Sequence, residues 1–208
     1  MLERVNGQIE LLDQHIREAL KKSLREQDSA AAIIDELPLL RGQGRADLAF
    51  VNGELCGYEI KSEADSLVRL GVQADNYESV FEFSTIVLVK KHLDRAMLKI
   101  PEIWGIIEAK QVDGQTELHV LRKPQRNYKL NNSALVRLLW KNECLSVLRK
   151  MGLEVCGNAS VAKLWIAIET IDTPTLCNEV REALKRRQAK VAPPQTLYDG
   201  LRTTEAIE

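Results

Sequence analysis

Charge of one sign is what this sequence lacks most clearly. Its 29 lysines and arginines stand against 30 aspartates and glutamates, a formal net charge of -1. That excludes a polycation that coats nucleic acid through its overall charge. Any such contact must come from a local patch or from a metal ion that neutralises phosphate. Long apolar runs are missing too: no stretch of about eighteen apolar residues exists, so no membrane-spanning helix is expected. The opening residues lack the basic-then-apolar order of a secretory signal. Cysteine is sparse and scattered (Cys56, Cys144, Cys156, Cys177), with no Cys-x-x-Cys pair and no histidine at metal-ligand spacing. These residues are expected as reduced, mostly buried thiols in a cytoplasmic protein.

What is present suits an ordinary globular chain. With 208 residues, 45% hydrophobic and 28% charged, it can bury one sizeable core and a small second subdomain. Apolar residues at helical spacing (Ile9, Leu12, Ile16, Leu20, Leu24) predict a helix over residues 8–24. Apolar runs predict strands over residues 30–40, 46–51 and 55–62, with a hairpin tip at Asn52-Gly53. Helical period returns over residues 65–83. Short strands are expected at 85–89, at 104–107 and at 118–121. Helices follow around residues 135–148, 161–168 and 179–187. The fold class is therefore α/β, a central mixed sheet flanked by helices with a helical C-terminal region. The division is residues 1–125 for the core, 126–190 for the helices and 191–208 for a loose tail.

Parity within the hairpin brings three charged residues together. Alternate residues of a strand share a face, so Leu48, Phe50, Cys56, Tyr58 and Ile60 form one apolar face. For both strands to bury that face, paired residue numbers must sum to an even value, which a three-residue loop or a bulge achieves. Asp47, Glu59 and Lys61 then converge on the other face, beside Gly57, where a substrate backbone could come close. Two neighbouring carboxylates raise each other's pKa unless a cation intervenes, and a hard ion such as Mg²⁺ takes oxygen ligands of this kind. A Glu-x-Lys on its own is more commonly a surface ion pair.

The run Arg45-Ala46-Asp47, then Glu59-Ile60-Lys61, with Gln73 on the following helix, resembles the PD-(D/E)xK or restriction-endonuclease-like nuclease superfamily. It is similar, within that group, to small and mostly uncharacterised bacterial and phage proteins. The likeness runs densely from Glu36 to Gly105 and thins beyond, where Leu138-Leu139-Trp140 and Glu143 still match. The superfamily's proline is replaced by Ala46. The resemblance implies a Mg²⁺-dependent phosphodiesterase acting on nucleic acid, with DNA expected and Mn²⁺ as a substitute ion. Asp47, Glu59, Lys61 and Gln73 would be catalytic. Asp47 and Glu59 would hold the metal with a further carboxylate, for which Glu36 is preferred over Glu18 and Asp13, although Glu36 could instead pair with Arg45. Arg69 and Tyr77, at i and i+8 around Gln73, form a helix edge expected to reach substrate. Lys90, Lys91 and His92 could touch phosphate or be a solvated loop. The basic segment Arg181, Lys185, Arg186, Arg187 and Lys190 fits a phosphate-contacting arm, a packing surface or a homodimer interface. An inactive binding module on the same fold is the competing reading.

Overall fold

The computed structural model describes residues 4–5, 8–9, 11–153 and 158–191. Strands β1 (Arg4–Val5) and β2 (Gln8–Ile9) pair antiparallel, so the first helix does not begin at residue 8. The helix, α1 (Asp13–Gln27), starts where an acidic residue meets the positive end of the helix dipole. The Leu11 carbonyl just ahead of it already accepts the backbone N–H of Glu63. Ile16, Leu20 and Leu24 recur at i+4 and are the buried stripe of α1.

Six strands make the central sheet: β3 (Ala32–Leu39), β4 (Gly44–Val51), β5 (Leu55–Lys61), β6 (Phe83–Val89), β7 (Gly105–Val112) and β8 (Gln115–Arg122). They lie side by side in chain order. The pairs β3–β4, β4–β5 and β7–β8 are antiparallel, whereas β5–β6 and β6–β7 are parallel. Each parallel step needs a crossover. Helix α2 (Leu70–Glu78) supplies the first and α3 (Leu93–Met97) the second. Pro38 sits on the edge strand β3, where a missing N–H costs little.

The helix expected over residues 65–83 is shorter than its period suggested. The Asp65 carboxylate accepts from the Ser62 N–H and hydroxyl and holds residues 62–65 in a turn, and β6 begins at Phe83. Likewise the helix expected at 135–148 breaks in two. Helix α4 (Asn132–Leu135) and a 3-10 turn (Val136–Leu138) precede extended Leu139 and Trp140, after which α5 (Lys141–Lys150) restarts. Helices α6 (Val161–Ile168) and α7 (Thr173–Val191) complete the described chain. Cys156 and the segment from residue 192 onward lie outside the described residues.

Two buried clusters line the two faces of the sheet. Leu48, Phe50 and Ile60 pack with Ile16, Leu20 and Leu24 of α1 on one face. On the other, Ala49, Val51 and Leu55 join Leu70 and Ala74 of α2 and the apolar residues of α4 to α7. The helical C-terminal region therefore shares a single core with the sheet. Cys144 and Cys177 are buried within it, and burial pushes both thiols up to about 11.

Candidate functional site: a cleft between a splayed strand pair and α2

The hairpin has the register that parity demanded. Leu48 pairs with Tyr58, Ala49 with Gly57, Phe50 with Cys56 and Val51 with Leu55, so every pair sums to an even value. Residues 52–54 make the three-residue connection, in which the Asn52 side-chain oxygen accepts the N–H groups of Gly53 and Glu54. Beyond Leu48 and Tyr58 the strands part, and side chains replace the missing ladder bonds. Asp47 Oδ2 accepts the Ile60 N–H at 2.7 Å. The Tyr77 hydroxyl accepts the Asp47 N–H at 3.2 Å and shares its own proton between the Tyr58 carbonyl (3.0 Å) and Glu59 Oε2 (2.9 Å). Those backbone groups are at least partly buried, so leaving them unpaired would be costly.

Glu59 is fully buried, and donors surround its carboxylate. Lys61 Nζ donates to Oε1 at 2.6 Å and to Gln73 Oε1 at 3.2 Å, while Gln73 Nε2 donates to the same Glu59 oxygen. Asp47 is different. Among the described residues its Oδ1 accepts no hydrogen bond, and the Arg17 guanidinium lies 4.0 Å from it. Burial, and then the charge of Glu59, push the Asp47 carboxyl up to about 7 against the opposing pull of the Ile60 N–H, Lys61 and Arg17. These side chains line a cleft of about 620 Å³ whose walls include Asp47, Glu59, Lys61, Arg69 and Gln73.

Arg17 is the residue that sequence reasoning missed. From α1 it donates to both Asp13 oxygens, to Asp35, to Glu36 and to the Asp47 backbone carbonyl. Its only sequence signal is the Asp13–Arg17 i,i+4 pair, which is common on any helix.

Several expectations need correction. Glu36 does not join Asp47 and Glu59: its backbone sits in the left-handed region at φ 54, and its carboxylate is held by Arg17 and Arg45. The pairing with Arg45 is the one the sequence left open. Asp13 reaches the cleft wall with its carboxylate held by Arg17, and Glu18 pairs with Lys21. Among the described residues no group of three or more His, Cys, Asp or Glu is arranged to hold a metal ion. Arg69, Gln73 and Tyr77 do not form one exposed edge. Arg69 precedes α2 and is exposed, Gln73 is half-buried in the cleft, and Tyr77 is buried against Phe81 and Trp104. Gly57 opens no path for substrate, because the Phe81 ring fills the space its Cβ would take.

Two basic runs also act within the protein. Buried His92 bonds the Ser62 carbonyl at 3.0 Å, and Lys91 pairs with Glu63, so both brace the chain just after Lys61. In α7, Arg181 is bonded to Glu82, Lys185 to the Asn52 carbonyl and Arg187 to Glu143. These contacts fasten α7 to the hairpin tip and to α5.

The molecule is thus an α/β protein with a mixed sheet flanked by helices, carrying a carboxylate–lysine–glutamine cleft. Residues 2–194 match the family described as Bacteriophage P4 protein cII, and the chain belongs to that family. It is 31% identical over 145 residues to "Protein cII" of Enterobacteria phage P4, which covers 69% of this chain. The chain spans only 55% of that relative's length. Among solved structures it is similar to a protein of unknown function from Silicibacter pomeroyi, at 16% identity and a TM-score of 0.42, covering 55% of this chain and 75% of that one. Among the described residues no helix is long and apolar enough to cross a membrane.

Proposed function

We propose that this chain is a metal-dependent nuclease of the restriction-endonuclease-like kind, hydrolysing phosphodiester bonds of DNA. The observation that carries this reading is that Glu59, Lys61 and Gln73, joined in one hydrogen-bonded set, share the wall of an open cleft with the Asp47 carboxylate. The donor set fits a hard divalent ion. Asp47 Oδ1 takes no hydrogen bond from the described residues, and the Asp47–Glu59 pair carries repulsion that a cation would relieve. Asp47 and Glu59 would hold the ion. A bound Mg²⁺ or Mn²⁺ supplies a Lewis acid for a phosphoryl oxygen and lowers the pKa of water. Lys61 offers a cation at the cleft to stabilise charge on the phosphate and to orient the attacking water. Gln73 positions the Lys61 ammonium, and exposed Arg69 at the rim supplies a phosphate contact. The cytoplasm, where DNA and reduced thiols coexist, is the compartment this reading assigns.

A second reading is a binding module without hydrolysis, favoured by one feature: both Glu59 oxygens are already occupied by protein donors. Purified protein incubated with plasmid and Mg²⁺ or Mn²⁺ separates the two. The nuclease nicks or linearises the plasmid, loses activity in EDTA, and is silenced by Lys61→Ala. Equal inertness of wild type and Lys61→Ala across duplex, single-stranded, junction and RNA substrates, with binding retained, would leave the module.

A further inference from the structure

A second cavity, of about 400 Å³, lies between α5 and α7 and shares no wall residue with the cleft that holds Asp47 and Glu59. Its walls include Trp140, Asn142, Ser146, Lys150 and Arg186. The volume falls within the range of small-ligand sites, about 300–1,000 Å³. Trp140 is 60% exposed, yet both its backbone and its ring have fixed partners. Its backbone N–H donates to Glu143 Oε2 at 2.7 Å. The Arg187 guanidinium lies 4.2 Å from its ring centroid, fixed there by Glu143 and the Leu138 carbonyl. The ring is therefore a positioned aromatic surface that the described chain leaves largely open.

The charges around it are resolved. Glu143 is neutralised by Arg187 and Glu179 by Lys150. Arg186 makes no ion pair within 4.0 Å among the described residues, although, against the upward push of burial, its charge adds to that of Arg187 in holding the Glu143 carboxyl below its ordinary value. Neither Asn142 nor Ser146 uses its side chain in a hydrogen bond there. The cavity thus offers an aromatic plane, an amide, a hydroxyl and an exposed guanidinium. An unpaired base stacks on the first and hydrogen-bonds the next two, while its phosphate meets the last.

We propose that this cavity binds single-stranded nucleic acid, with one base stacked on Trp140 and its phosphate on Arg186. The site is independent of the nuclease reading, since it uses none of the cleft residues. The test uses the full chain in EDTA, titrated with a twelve-nucleotide oligothymidylate and, separately, with thymidine monophosphate. Trp104 and Trp165 are buried, so a change in exposed-tryptophan emission reports Trp140. Saturable quenching by the oligonucleotide that weakens with salt is expected. Anisotropy of a labelled oligonucleotide should show Trp140→Leu and Arg186→Glu binding about 10-fold more weakly, with Trp140→Phe close to wild type. Lys22→Ala, an exposed change on α1 remote from both cavities, should bind as wild type does. No saturable quenching, or unchanged affinity in Arg186→Glu, overturns the site. Equal affinity for the mononucleotide and the oligonucleotide overturns the strand in favour of a free nucleotide.

Discussion

Arg17 donates from α1 to the backbone carbonyl of Asp47 on β4 at 2.5 Å. The same guanidinium holds Asp13, Asp35 and Glu36, so one side chain fixes α1, the edge strand β3 and the strand that carries Asp47 together. Partners of a metal-binding carboxylate commonly matter about 10–100-fold to metal affinity or activity. Arg17→Met is expected to lower Mn²⁺ affinity and DNA cleavage by about that factor. Arg17→Lys should recover little, because an ammonium lacks the planar fork that reaches several oxygens. Calorimetry and plasmid cleavage measure both, and wild-type values in Arg17→Met would remove the positioning role.

Tyr77→Phe keeps the ring that packs on Phe81 and Trp104 but removes the hydroxyl that bridges β4 and β5. Buried partners left unsatisfied cost about 1–3 kcal/mol. Urea unfolding should show a loss of that size, with cleavage reduced as Glu59 loses a donor. A change of only a few tenths of a kcal/mol would show that water replaces the hydroxyl without penalty.

Gly57→Ala should destabilise the core. An added Cβ would lie 2.5 Å from a Phe81 ring carbon, below any real contact. Displacing a packed ring costs about 1–3 kcal/mol. The melting temperature of the variant tests this, and an unchanged value would mean that Phe81 moves freely.

Acid should loosen the attachment of α7. Burial alone raises the Glu82 carboxyl, but hydrogen bonds with Arg181 and Glu54 and from the Leu55 N–H outweigh it and hold the carboxyl below its ordinary value. A depressed carboxyl contributes stability that is present above its unfolded pKa and is lost as pH falls through the folded value. Urea unfolding from pH 7 to pH 3 should show wild type losing more stability than Arg181→Met. Parallel curves would show that this pair contributes nothing to the acid response.

Much of the fold was legible because it depends on local periodicity. Ile16, Leu20 and Leu24 announce α1 by spacing, and the alternation through Leu48, Phe50, Cys56, Tyr58 and Ile60 announces the hairpin. Boundaries were less legible where a single polar contact decides them. The Ser62–Asp65 turn shortens the helical stretch to α2, and extended Leu139 and Trp140 interrupt an unbroken apolar pattern.

By itself the sequence determined the side on which Asp47, Glu59 and Lys61 lie, since a period of two and a buried face leave one register. Tertiary structure alone decided which neighbours complete that set. Glu36 lies close in sequence, yet a left-handed backbone and two arginines draw its carboxylate elsewhere. Tyr77 looked like part of an exposed edge, yet it fills the gap where two strands part. Arg17 carries no signal beyond a common helical pair, yet it holds Asp47 from 30 residues away in the chain. Contacts of that kind depend on where separate elements meet, and no local pattern encodes the meeting.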